Sequence, residues 1–225
     1  MKPPTRTTLI LVTAARIARA DFDGGPAACK AAARPAGSSF TEAVRAALAL
    51  PTPAGGGGAG TAWVLGEDVF EHNVQLGAAQ VAGLSAADLA RALSFEVEPF
   101  SGIPVAAAIT GYHRGTDGVF DVIEVSRTDL DLVQRAVRGA GGRLAGIAYT
   151  GAAPADEEAL AAWLAAWLPR LLGGALPLIR PPVAPPSKNR FLYAGLAMEA
   201  GVLLLLFAMA GWTALQRNAL ETRNN

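Results

Sequence analysis

The chain has 225 residues, enough for one globular domain and a further segment. Its 19 basic and 19 acidic side chains balance and leave no basic stripe of the kind that nucleic-acid binding uses. Cys29 is the only cysteine, which excludes an intrachain disulfide framework and a cysteine zinc site.

In chain order, Lys2 and Arg6 precede the apolar run Leu9-Ile10-Leu11-Val12, a pattern shared by a secretory leader and a strand. The strongly apolar stretch is four residues long and Arg16 and Arg19 follow it. That favours two strands, residues 7–15 and 16–23, over a leader. Residues 27–37 are Ala-rich without a period and read as an irregular surface segment. Residues 41–50 read as a helix. The Gly-rich stretch 51–60 is a flexible loop. No Lys-Ser/Thr follows it, so a phosphate cradle would lack its cation and its metal ligand.

Residues 62–65 form a short apolar strand. Residues 69–76 alternate, with Phe70, His72, Val74 and Leu76 on one face. Ser85 caps a helix with Asp88 three residues on. Leu89 and Leu93 share its inner face, and it is expected to end before Pro99. Strands at 103–112 and 119–125 are joined by the polar turn 114–118. Thr128 is expected to cap the next helix, with acids at 129 and 131 and Arg135 and Arg138 at its far end. A strand at 143–149 and a helix at 156–172 follow. The helix has Leu160, Trp163, Leu164, Trp167 and Leu171 as its apolar stripe.

A second segment is distinct in composition. Residues 180–189 are Pro-rich and read as a stiff spacer. Residues 191–215 carry one formal charge, Glu199. As a helix they would be roughly 37 Å long against a hydrocarbon core of about 30 Å. The stretch 203–207 is apolar on every face, unlike a soluble helix, and Tyr193 and Trp212 sit near the ends as interfacial aromatics do. A single transmembrane helix is therefore expected. Arg180, Lys188 and Arg190 on one flank against Arg217 and Arg223 on the other place the N-terminal domain in the cytoplasm. Ala197 and Gly201 make a small-xxx-small pair beside Glu199. Two accounts stand for that acid: it meets a partner helix, or it tilts towards the headgroups.

Little else carries chemistry. His72 and His113 lack convergent ligands. Ser94, Ser101 and Ser126 lack a G-x-S-x-G setting. Glu96 and Glu98 are two apart at a helix end, so they point apart and do not form a carboxylate pair. With Phe95 and Phe100 they form a candidate partner-binding surface. No catalytic residue, metal or cofactor is expected.

The order of elements, and above all the run from Trp63 to Thr150, resembles one half of the actin-like fold of inner-membrane platform proteins in type II secretion and type IV pilus assembly. The resemblance lies in the strand WVLGEDVF, the helix LSAADLARALSFEVEPF, the helix TDLDLVQRAVRGAGG and the strand RLAGIAYT. The bitopic member of that family also has one transmembrane helix after its actin-like region. The resemblance implies an α/β fold: a mixed-sheet single lobe like half of an actin-like fold, with an inserted small βαββα module, then one transmembrane helix. The domains are residues 1–175 (cytoplasmic), 176–190 (Pro-rich linker), 191–215 (transmembrane) and 216–225 (short periplasmic tail).

It further implies a non-enzymatic scaffold of a secretion or pilus platform at the bacterial inner membrane. Such a scaffold would recruit other platform proteins and form a homodimer through Ala197, Glu199 and Gly201. The length between Tyr149 and the spacer is short for a second lobe, and no Gly-rich turn lies between Ala14 and Arg16, so ATP hydrolysis is not expected. Two other readings remain. One is a degenerate ATPase subunit that binds nucleotide with a partner, using residues 21–25 as its phosphate-facing turn. The other is an exported, membrane-anchored regulator.

Overall fold

A computed structural model of the chain describes residues 6–23, 28–51, 60–174 and 176–182. The chain divides into two units, Met1–Pro181 and Pro182–Asn225. The expected transmembrane segment 191–215 with its pairing residues Ala197, Glu199 and Gly201, the tail 216–225 and most of the Gly-rich loop lie outside the described residues. Among the described residues no helix is long and apolar enough to cross a membrane.

The first unit begins with three antiparallel strands, β1 (Thr7–Val12), β2 (Arg16–Phe22) and β3 (Ala28–Ala33), and the helix α1 (Phe40–Leu48). Then come β4 (Thr61–Gly66), β5 (Phe70–Gln75), α2 (Ala78–Val81), α3 (Ala86–Ser101), β6 (Ala108–Arg114) and β7 (Val119–Ser126). The last elements are α4 (Arg127–Gly139), β8 (Arg143–Tyr149) and α5 (Glu157–Gly173). The main sheet has the order β3-β2-β1-β4-β8, with β4 parallel to both of its neighbours. A second, antiparallel sheet has the order β5-β7-β6 and is inserted between β4 and β8.

The apolar quartet of β1 has no polar alternate because both faces of the main sheet are covered. Ile10 and Val12 pack with Val44 and Ala47 of α1 and with Val133 and Val137 of α4. Leu9 and Leu11 pack on the other face with Leu160, Leu164 and Leu171 of α5. The small sheet has its own core, where Val74, Phe120 and Val122 meet Leu93 and Val97 of α3.

Four expectations change. Residues 28–33 are not irregular: they form β3, an edge strand on β2. Alanine on both faces erases the period-two signal, and alanine is a weak strand former. The α3 helix runs through Pro99 to Ser101 and ends at Gly102, whose left-handed φ of 65° lets its N–H reach the Glu98 carbonyl. Phe95 and Pro99 are both exposed, so the hydrogen bond that proline forfeits falls on the solvent side. Ser126, not Thr128, caps α4, accepting the Asp129 N–H at 3.0 Å, so β7 passes into α4 without a loop. The strand expected from residue 103 starts at Ala108, because Pro104 opens a turn that Ala107 and Ala108 close onto its carbonyl.

Past α5, Ile179 is 1% exposed and exchanges two hydrogen bonds with Ile147 of β8, at 2.8 and 2.9 Å. The preceding carbonyl, Leu178, lies over Gly111 of β6, where a Cβ would stand 2.5 Å from that oxygen. Glycine at 111 thus lets one short segment rest on both sheets. Gly111→Ala is expected to lower unfolding stability by about 1–3 kcal/mol, as overpacking does. Urea denaturation of the full chain checks this, with hydrogen exchange showing lost protection at the Ile179 amide.

Candidate functional site

Serine caps decide where α3 begins. Ser85 accepts the Asp88 N–H at 3.2 Å and donates its hydroxyl to the Asp88 carboxylate at 2.6 Å. From that start Leu93 and Val97 face the small sheet and Phe95 faces away; Phe95 and Phe100 are 59% and 64% exposed. Glu96 is exposed and Glu98 half-buried. The four candidate residues share one helix but divide into two strips. Phe95 and Glu98, three apart, line an open groove of about 920 Å³ with Arg91, Val105 and Ile109. Phe100 instead stacks on His72 of β5, with ring centres 4.5 Å apart and planes at 22°. His72 in turn stacks towards Phe70 at 6.1 Å. Of the exposed large hydrophobics among the described residues, Leu84, Phe95, Phe100 and Leu172, three lie on α3 or just before its cap.

Of the acids in residues 21–25, Asp21 is turned into the fold and Asp23 is exposed. Asp21 is a β2 residue, 4% exposed, and its carboxylate is held within the fold. It accepts the Thr8 hydroxyl at 2.7 Å and pairs with Arg6 at 2.9 Å and Arg19 at 3.1 Å. Arg19 also donates to the Leu48 carbonyl at the end of α1 at 2.8 Å. Gly24 and Gly25 lie outside the described residues.

Glu124 on β7 is a buried acid that sequence reasoning missed. It is 1% exposed on the face that also carries Phe120 and Val122. Its Oε1 accepts hydroxyls from Ser94 of α3 at 2.6 Å and Thr110 of β6 at 2.9 Å. Its Oε2 is buried and has no hydrogen-bond partner among the described residues. The only sequence signal is an acid on the apolar phase of the strand VFDVIEVS. Glu124 also lines a cavity of about 500 Å³ whose other acids are Glu67, Asp68, Glu71 and Asp129. Three of those four are engaged locally. Glu67 accepts the Ala14 N–H at 2.7 Å, Asp68 pairs with Arg34 at 2.7 Å, and Asp129 accepts the Ser126 hydroxyl at 2.6 Å. Partial burial, with Asp121 beside it, pushes the Glu71 carboxyl above the usual carboxylate range.

Among the described residues no group of three or more His, Cys, Asp or Glu is placed to hold a metal ion. Burial, and secondarily Glu157, pushes the Cys29 thiol up against the opposing pull of Lys30. The thiol therefore stays protonated at neutral pH and is a poor nucleophile.

No protein-family model and no curated protein matches the chain. Solved structures do. The cytoplasmic domain of EpsL, an inner membrane component of the type II secretion system of Vibrio cholerae, is similar at 13% identity. That match covers 63% of this chain and 56% of the cytoplasmic-domain chain, with a TM-score of 0.43. The PilM–PilN type IV pilus biogenesis complex is similar at 14% identity over 63% of this chain and 46% of that chain, TM-score 0.44. A Bacteroides thetaiotaomicron protein with an actin-like ATPase fold and unknown function is similar at 8% identity, over 66% of this chain and 52% of its own, TM-score 0.36. The matches thus span about half the length of each of these structures. The neighbours from the secretion and pilus systems have actin-like folds and belong to the family that the sequence resembles.

The raised carboxyl of Glu71 has a signed consequence. A folded-state value above the unfolded one means that the ionised form is disfavoured in the fold. The penalty is absent below the ordinary carboxylate range and complete above the raised value. Glu71→Gln is therefore expected to stabilise the protein at about pH 7.5 and to leave it unchanged at about pH 3. Paired denaturation curves at the two pH values check this; a gain equal at both would refute it.

Proposed function

We propose that the chain is a non-enzymatic interaction component of a type II secretion or type IV pilus inner-membrane platform. In this reading residues 1–175 form a cytoplasmic recruiting domain, and residues 191–215 anchor it and pair with a second copy. The observation that carries the recruiting role is the exposed apolar strip of α3. Phe95 and Phe100 spend more than half of their surface in water on a helix whose inner face is already satisfied by its own small core. Exposed aromatics on one helix, one of them lining a groove, fit a surface that receives a partner. Arg91, Glu96 and Glu98 would supply a charged rim around them. The sequence resemblance supplies the class of partner, another platform protein, and the apolar composition of residues 191–215 supplies the membrane.

The test is co-purification of the full chain from membranes with other platform components of its own cell. The double variant Phe95→Ser, Phe100→Ser is expected to weaken capture by a factor of about 30 or more, the scale of losing interface hot spots. Circular dichroism should show the variant still folded, with a small drop in thermal midpoint from the lost stacking of Phe100 on His72. Undiminished capture would exclude this surface.

A further inference from the structure

The small sheet stops at β6, and the edge it leaves is open. In an antiparallel ladder, backbone groups turn to the partner strand at every second residue and away from it at the residues between. Two bonds fix the phase here. The Arg127 N–H reaches the Ala107 carbonyl at 2.7 Å, and the Gly115 N–H reaches the Val119 carbonyl at 2.9 Å. Ile109, Gly111 and His113 therefore turn their backbone groups to β7, and Ala108, Thr110, Tyr112 and Arg114 turn theirs outward. The Ala108 N–H closes a local turn onto the Pro104 carbonyl at 3.0 Å. The N–H groups of Thr110, Tyr112 and Arg114 have no hydrogen-bond partner among the described residues. Edges are usually blunted by proline, a bulge or a charge, and β6 has none of these before Arg114.

The open groove of about 920 Å³ runs beside this edge. One wall is α3, with Ala87, Ala90 and Phe95, and the other is the start of β6, with Ala108 and Thr110. The side chains of Thr110 and Tyr112 turn to the α3 side, where Thr110 bonds Glu124 and Tyr112 meets Phe120 edge-on. A strand laid along β6 would place alternate side chains on that same side, against the apolar wall of α3. Free donors and acceptors two residues apart are matched by one ligand chemistry, an extended polypeptide backbone.

Charge selects among polypeptides. Arg91 and Arg127 line the groove, and Arg114 stands at the far end of β6. All three are exposed, and none makes an ion pair among the described residues. Glu98 is the one acid in the lining. A second copy pairing edge to edge would bring the same arginines against these, and like charges oppose that contact. A segment with acids at its rim is complementary.

We propose that the edge of β6 receives an extended segment of another polypeptide as a fourth strand of the small sheet. The segment spans about five to seven residues, the length of the edge. Its aliphatic side chains lie against α3 and its acidic side chains meet Arg91, Arg114 and Arg127. This rests on the reading of the α3 surface as a partner site, and gives that partner a backbone conformation and a charge.

The test follows amide hydrogen exchange of the full chain in detergent at single-residue resolution. Without a ligand, the amides of Thr110, Tyr112 and Arg114 are expected to exchange faster than those of Gly111 and His113. The probe is a blocked octapeptide of alternating valine and glutamate. At about ten times its dissociation constant it should slow the three outward amides about tenfold, as mass action requires. The same peptide methylated on every backbone nitrogen should not bind. A version with lysine for glutamate should bind about tenfold more weakly or worse. Arg127→Glu, at an exposed position, should weaken the acidic peptide about threefold. Three outward amides that are already slow in the chain alone overturn the proposal, because the edge is then covered. So does equal binding of the methylated or the lysine peptide, unchanged affinity in Arg127→Glu, or no slowing by the acidic peptide up to its solubility limit. Capture of platform components that still depends on Phe95 and Phe100 while the peptide fails would sink strand addition and leave the partner surface standing. Failure of both would sink the surface itself.

Discussion

Parallel ladders on both sides of β4 force the chain that leaves Gly66 to travel back along the sheet before it can re-enter at Arg143. Thr61 lies opposite Thr7 on one side and Arg143 on the other, and Gly66 opposite Val12 and Tyr149. The register is clamped at both ends. The Arg143 N–H reaches the Gly60 carbonyl at 2.7 Å, and the Thr150 N–H reaches the Gly66 carbonyl at 3.3 Å. A parallel pair needs a crossover, and here the crossover carries a second sheet and two long helices, α3 and α4. The helix α4 returns to cover the main sheet together with α1. The helix α3 remains with the small sheet, which is why its outer face is free to hold Phe95 and Phe100 in solvent.

Two buried acids show how the same chemistry serves opposite ends. Asp21 is surrounded by Arg6, Arg19 and Thr8, and Arg19 also ties it to the carboxyl end of α1. With its partners supplied by the fold, it is a structural joint between the strand pair and the helix. Glu124 has hydroxyl partners on one oxygen only. A buried carboxylate with one oxygen left without a partner is unusual in a core. Asp21 looked the more functional of the two in sequence because glycines follow it.

The main sheet was legible because its physics is local. Four consecutive apolar residues in β1 announce a strand buried on both faces, and S-x-x-D at Ser85 announces a helix start. The edge strand β3 was not legible, since six residues rich in alanine pair only because β2 offers them an edge. The end of α3 was misread because proline normally stops a helix, and nothing local tells that it falls on the solvent side. Of the candidate site, Phe100 was expected beyond the end of the helix, and the structure instead keeps it on α3. The separation of Phe95 and Phe100 onto two strips was not legible, because it depends on His72, far away in sequence. Glu124 was invisible for the same reason. Its partners Ser94 and Thr110 lie 30 and 14 residues away, and the cavity beside it is walled by α1, β7, β8 and the loop after α3.

The account turns on one claim, that the outer face of α3 is where a platform partner sits. Site-specific photo-crosslinking in the living cell tests it most directly. A benzophenone-bearing phenylalanine would be placed at position 95 and, as a control, at position 138 on the exposed side of α4. The account predicts a membrane-associated adduct with another secretion or pilus component from position 95 and none from position 138. Adducts from position 138 alone, or the same adduct from both positions, would contradict it.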